Sequence, residues 1–340
     1  MKKLLFPVVL LLLFSCKPSI HVLDVIEPDI TMVFASCSHQ DMDQPLWKPI
    51  IETHPDVFIW GGDNIYADTD DMQKMKSDYD KVLANPEYKK LASSTKIIGT
   101  WDDHDYGKND AGAEWEAKAG AQQMFLDFLK VPENDIRRKR EGVYTSELFE
   151  TKEGKVKVIL LDTRYFRSSL QKSKREGVRY DPWNKGEGGT ILGDAQWKWL
   201  VEELKDPTPN FTVIVSSIQF LADEHNWEKW GNHPDEIEKM NRVLVNATSK
   251  NIFFLSGDRH LAEFSKKELK GLPYPLIDVT VSGMTKTYPD TPEDPNRYRE
   301  GSQIKQLNFG VIRFYFSSQS VSMEIRGEDN EFYGILSQNY

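Results

Sequence analysis

Lys96-Ile97-Ile98-Gly99-Thr100-Trp101-Asp102-Asp103-His104-Asp105 is a short apolar run that delivers four ionisable side chains in succession. Carboxylates this close repel one another unless cations, hydrogen bonds or solvent offset their charge. The same design recurs along the chain. Thr31 to Ser36 leads into Cys37-Ser38-His39-Gln40, Val57-Phe58-Ile59-Trp60 into Gly61-Gly62-Asp63-Asn64, and Asn251 to Leu255 into Ser256-Gly257-Asp258-Arg259-His260. Short apolar runs bounded by turn residues suit strands buried on both faces. In open α/β sheets a site forms beyond the carboxyl ends of the strands. The pattern therefore places Cys37, Asp63, Asp103, Asp258 and His260 together.

Outward from these runs, the spacing of apolar residues predicts helices over Gly112 to Leu129 and Asp194 to Leu204. Further strands are predicted at Val156 to Leu161, Phe211 to Val215 and Ile277 to Ser282. Gly310 to Phe316 and Val321 to Arg326 flank Ser317-Ser318-Gln319-Ser320 as a hairpin. The sum is an α/β sandwich, with Gln171 to Gly189 as a long surface loop. No internal repeat or linker divides it.

Taken singly, the motifs leave two readings open. Asp63 in Gly-Gly-Asp-Asn suits a turn as well as a metal, and Cys37 suits a ligand or a small buried apolar residue. Together, thiolate, phenolate, carboxylate and imidazole suit a hard, high-valent metal such as iron beside oxygen-ligated divalent ions. Arg164 in Leu161-Asp162-Thr163-Arg164 suits either a fork onto phosphate oxygens or a buried ion pair with Asp162.

The motifs Ser36-Cys37-Ser38, Gly62-Asp63-Asn64-Ile65-Tyr66, Thr100-Trp101-Asp102-Asp103-His104-Asp105-Tyr106-Gly107-Lys108-Asn109-Asp110, Leu161-Asp162-Thr163-Arg164 and Ser256-Gly257-Asp258-Arg259-His260 resemble the alkaline phosphatase D (PhoD-like) family. The resemblance runs in order from about residue 31 to 335. It implies a calcineurin-like metallophosphoesterase core, an αββα sandwich of two mixed β-sheets flanked by helices. It further implies Fe3+ and Ca2+, or other divalent ions, held by Cys37, Asp63, Tyr66, Asp103, Asp258 and His260. By the same resemblance His104 faces the phosphate as general acid, with Asp105 orienting it; the alternative is a histidine bonded to Asp63 or Asp105 for structure. Ser216-Ser217-Ile218-Gln219 lacks the histidine of two-metal relatives, which favours calcium in the second position. The implied reaction is hydrolysis of phosphate monoesters by metal-activated water, with diesters of phospholipids or envelope polymers as the alternative substrates. A surface-binding lipoprotein that has lost the chemistry is the competing reading, and the intact ligand set argues against it.

A formal net charge of -10 argues against nucleic-acid binding, which needs clustered cations. The chain opens with Met1-Lys2-Lys3, an apolar stretch from Leu4 to Phe14 and then Ser15-Cys16. A membrane-spanning helix needs about 20 apolar residues, so this stretch has the length of a leader. Leu13-Phe14-Ser15-Cys16 resembles a lipobox, with Cys16 as the lipid attachment site; an ordinary signal peptide is the alternative. The expected organisation is a leader over residues 1–15, a tether over 16–30 and a single domain over 31–340. The protein is then exported and lipid-anchored in the bacterial cell envelope.

Overall fold

The computed structural model describes residues 27–340, so the leader and Cys16 lie outside the described residues. The chain begins by alternating: β1 (Ile30–Ala35), α1 (Trp47–Glu52), β2 (Val57–Gly61), α2 (Met72–Ala84), α3 (Pro86–Ser94), β3 (Lys96–Thr100), the single turn α4 (Asp103–Tyr106) and α5 (Lys118–Phe128). Next come β4 (Thr145–Glu150), β5 (Lys155–Leu160), the two-residue strands β6 (Gln171–Lys172) and β7 (Tyr180–Asp181), α6 (Gly193–Glu203), β8 (Phe211–Ser216) and α7 (Pro234–Val245). The chain closes with β9 (Ile252–Ser256), β10 (Ala262–Lys267), β11 (Leu276–Val281), β12 (Arg299–Ile304), β13 (Phe309–Tyr315), β14 (Ser320–Arg326) and β15 (Phe332–Asn339).

Two mixed sheets carry the architecture, one in the order β15-β14-β13-β1-β2-β3 and the other β12-β10-β11-β9-β8-β5-β4. In the first, β1, β2 and β3 run parallel and β13 joins β1 antiparallel. In the second, β5, β8, β9 and β11 run parallel. Every residue of β1, β2, β8 and β9 is buried, as expected of parallel strands covered on both faces.

Three apolar clusters explain that burial. Met32, Phe34, Ile59, Val158, Val213 and Phe253 pack between the sheets. Trp47, Trp60, Tyr79, Tyr88 and Phe128 join the first sheet to its helices, and Trp197, Leu200, Met240 and Leu244 do the same for the second. The result is the helix–sheet–sheet–helix sandwich that the resemblance implied. The predicted C-terminal hairpin is present as β13 and β14, extended by β15.

Two predictions need correction. The helix expected from Gly112 starts at Lys118, because residues 112–117 are held in a loop in which Ala113 N–H donates to Arg167 O at 2.8 Å. The stretch from Gln171 to Gly189 is not a free loop. It pairs β6 with β7, and Trp183 N–H donates to Asn232 O at 3.0 Å.

Candidate metal centre and active site

The parallel strands β1, β2, β3 and β9 end at one edge of the sandwich, and each hands its chain to a tight turn. Cys37, Asp63, Asp258 and His260 all adopt positive φ, at 60°, 51°, 71° and 54°. Such conformations cost energy for non-glycine residues and persist where surrounding bonds impose them. Here Cys37 N–H donates to Gly62 O at 3.2 Å and Ser38 N–H to Asp63 O at 2.8 Å. Gly62 has φ of 102°, and a Cβ there would lie 2.6 Å from Asp102 Cβ. Glycine at this position lets the β2 and β3 turns approach each other.

Cys37 is fully buried with Sγ 3.6 Å from Asp63 Oδ2. Tyr66 O–H donates to the same oxygen at 3.3 Å and lies 3.3 Å from His260 Nε2. His260 Nδ1 faces Lys286 O at 3.0 Å; a proton there leaves Nε2 with its lone pair free. Oxygens of Asp63, Asp102, Asp103 and Asp258 lie within 4.8 Å of one another. Asp103 Oδ2 accepts from Asp110 N–H at 2.6 Å and Asn109 Nδ2 at 3.0 Å, while Asp103 Oδ1 and Asp102 Oδ2 have no hydrogen-bond partner among the described residues. The six residues expected as ligands thus converge.

Burial pushes the Cys37 thiol up, and neighbouring Asp63 and Asp258 push it further. Burial likewise raises Asp63, and it raises Asp258 to about 7 despite the adjacent Arg259. Burial lowers His260 to about 4. The acids resist ionisation because burial and neighbouring carboxylates disfavour negative charge, and His260 resists protonation because burial and the nearby His104 and Arg259 disfavour positive charge. Orphaned carboxylate oxygens, a thiol, a phenol and a free imidazole nitrogen fit one or more metal ions.

His104 sits at the open side, its ring 4.2 Å from that of Tyr66. The residue that orients it is Asp68, whose oxygens lie 2.8 and 2.9 Å from Nδ1. Asp105 does not play that part. It is fully buried, accepts from Asp102 N–H at 2.6 Å and Asn64 Nδ2 at 2.5 Å, and ties the β3 turn to the β2 turn. Burial raises Asp105 to about 8. For His104 burial works downward, but Asp63, Asp103 and Asp68 outweigh it and raise the imidazole to about 11.

Arg164 is also corrected as a substrate-binding residue: it is wholly buried. Its guanidinium pairs with Asp102 and, at 2.7 Å, with Glu228. Asp162 instead accepts backbone N–H groups of Arg164, Tyr165 and Val143, each at 2.9 Å. Ser217 donates to Asp102 Oδ1 at 2.7 Å. Gln219 bonds Glu263 and Thr280, each at 2.8 Å, and no ligand residue. His39 stacks on Tyr66 with ring centroids 5.0 Å apart.

Sequence reasoning missed Asp68 and Glu228. Asp68 had one usable signal, its place two residues after Tyr66; Glu228 had none, since no apolar strand precedes it.

A two-sheet sandwich with thiol, phenol, carboxyl and imidazole side chains converging on its strand ends defines a calcineurin-like metallophosphoesterase fold. The sequence model of the PhoD-like phosphatases matches residues 32–274, and the chain belongs to that family. Alkaline phosphatase D of Bacillus subtilis (strain 168) is 21% identical over 277 residues, covering 68% of this chain and 46% of the relative. The chain therefore spans about half the length of that relative. A solved structure of PhoD superposes with a TM-score of 0.71 at 16% identity, covering 92% of this chain and 68% of the other. A dimetal phosphatase from Danio rerio superposes with a TM-score of 0.58 at 14% identity, covering 92% and 100%.

Proposed function

We propose that this protein hydrolyses phosphate monoesters, with some activity on diesters, from the envelope side of a bacterial membrane. The observation that carries the reading is that Cys37, Tyr66 and His260 gather around Asp63 while Asp63, Asp103 and Asp258 bring carboxylate oxygens together, with His104 on the solvent side. Family membership supports it. Iron and calcium, when bound, supply Lewis acidity that holds phosphoryl oxygens and activates water.

The protein's own part is to hold the ester and manage one proton. Asp68 fixes His104 through Nδ1, which leaves Nε2 to protonate the departing oxygen. General acids of this kind contribute roughly 10²- to 10⁴-fold. Asp105 and Arg164 act from behind, the first by joining the β2 and β3 turns and the second by neutralising Asp102.

Export and lipid attachment through Cys16 are part of the proposal and rest on the leader sequence. Among the described residues, no helix is long and apolar enough to cross a membrane. Labelled fatty acid incorporated by the full-length protein and lost in Cys16→Ser supports the anchor; equal labelling, or none, refutes it.

The test of the chemistry is metal content by mass spectrometry on protein lacking residues 1–16, with nitrophenyl phosphate and bis-nitrophenyl phosphate assayed with and without calcium. Iron plus calcium and calcium-dependent turnover of the monoester support the reading. Failure of every metal combination to restore turnover of either ester overturns it.

A further inference from the structure

Beside the metal centre, the segment between β8 and α7 presents an indole flanked by two guanidinium groups. Trp227 is 43% exposed. Arg259 lies 5.1 Å from its ring centroid and Arg179 lies 5.9 Å away. Both arginines stand one contact from the ligand set. Arg259 is the residue between Asp258 and His260, and Arg179 pairs with Asp110, whose N–H donates to Asp103 at 2.6 Å.

The backbone holds this arrangement. Arg179 N–H and Tyr180 N–H donate to Asn226 O at 3.1 and 3.3 Å, so the β6–β7 hairpin is pinned to the residue before Trp227. From the other side buried Lys229 donates to Trp227 O at 3.0 Å. Among the described residues Arg259 contacts one carboxylate, that of Asp294, at 2.5 Å, and its Nε has no acceptor. Neither Arg259 nor Arg179 uses all its N–H groups. An arginine fork with free donors matches phosphate and carboxylate oxygens, and packing alone gives no reason to leave the indole face open between two cations.

We propose that Arg259, Arg179 and Trp227 form a shelf that binds a second anionic group, phosphate or carboxylate, on the leaving-group half of the substrate. The proposal rests on the phosphate-ester reading and adds a substrate class to it: esters whose alcohol is itself anionic. The ester phosphate enters the metal centre past His104 and Tyr66, while the second anion takes the free guanidinium donors. The indole covers the carbon frame between them.

The test compares two pairs of substrates on the metal-loaded protein, a hexose bisphosphate against the hexose monophosphate, and 3-phosphoglycerate against glycerol 3-phosphate. A charge-assisted hydrogen bond gained with the second anion raises kcat/KM about tenfold. The preference should fall toward unity in Arg179→Gln and in Arg259→Gln. The ratio is read rather than the absolute rate, because Arg259 adjoins a ligand residue. Preference for the bisphosphate only identifies the anion as phosphate, and preference for phosphoglycerate only identifies it as carboxylate. Equal kcat/KM within both pairs, or a preference that survives both substitutions, overturns the shelf. Calorimetric binding of the same compounds separates this from a failure of the hydrolase reading. Should nothing be turned over, the shelf stands if the doubly anionic compounds bind about tenfold tighter and Arg179→Gln erases the difference. It falls if they do not.

Discussion

Replacing Asp68 with asparagine isolates the orienting half of the proposed proton donor while leaving the ligand residues in place. The carboxylate meets His104 Nδ1 through both oxygens, at 2.8 and 2.9 Å. A hydrogen bond between charged partners is worth about 1.5–3 kcal/mol. The side chains are 19% and 46% exposed, so solvent screens the pair. Discounting to about 1.4 kcal/mol gives an expected tenfold loss of kcat. The loss should depend on the leaving group. Nitrophenolate departs without a proton, whereas an alkoxide needs one, so Asp68→Asn should slow glycerol phosphate hydrolysis by about tenfold and nitrophenyl phosphate far less. His104→Asn should show the same selectivity at about a hundredfold or more on the alkyl ester. Because Asp68 acts through His104, the double variant should be no worse than His104→Asn alone. Equal losses on both esters, or additive effects in the double variant, would refute the assignment of His104 as a general acid held by Asp68.

Chelation should lower the melting temperature, since ions that bind the folded state alone stabilise it by mass action; an unchanged midpoint in differential scanning calorimetry would argue that no ion binds. In metal-stripped protein Asp63→Asn should instead raise the midpoint, because a neutral amide replaces a buried carboxylate crowded by Asp102, Asp103 and Asp105. The same substitution should abolish metal uptake, as mass spectrometry would show. Arg164→Met should destabilise the fold by about 3–5 kcal/mol in urea titrations, since it strands Asp102 without a cation and leaves Glu228 with Arg167 alone; a loss under 1 kcal/mol, about what an exposed pair gives, would contradict the buried network. Burial lowers the pKa of His233 below its ordinary 6.5, so the unfolded chain takes up the proton first as pH falls. Its contribution is complete above pH 6.5 and is lost as pH drops from there toward the folded-state value. His233→Gln should therefore flatten the decline of stability below that pH, and an unchanged slope would show that His233 titrates normally.

The ligand-bearing strands were legible because burial on both faces imposes continuous apolar runs, and the tight turns after them demand polar residues. Thus β1, β2, β3 and β9 and the candidate ligands Cys37, Asp63, Asp103, Asp258 and His260 can be read from spacing and residue type, while Tyr66 came from the family resemblance. Helices α2 and α3 escaped because charged residues blur their apolar faces. Their starts were nonetheless marked: Asp71 accepts from Gln73 N–H at 2.8 Å, and Asn85 caps the helix that opens with Pro86. The error over Gly112 has the opposite cause, a helical pattern overridden by a loop that packs on Arg167.

Roles proved harder to read than positions, because a run of adjacent acids does not reveal which way each side chain turns. Asp102, Asp103, His104 and Asp105 straddle the start of the single turn α4, so the four side chains leave in different directions. Asp103 joins the carboxylate cluster, Asp102 reaches it too while meeting Arg164 and Ser217 behind it, His104 faces the solvent side, and Asp105 turns back to its own N-terminus. The resemblance implied that Asp105 orients His104; the turn instead carries it away and leaves that task to Asp68. Arg164 follows the same logic. Four carboxylates within reach of one another, three of them buried, need a fixed cation behind them when no metal is bound, and an arginine sealed from solvent meets that need. Its burial is therefore the reason that it cannot also serve the substrate.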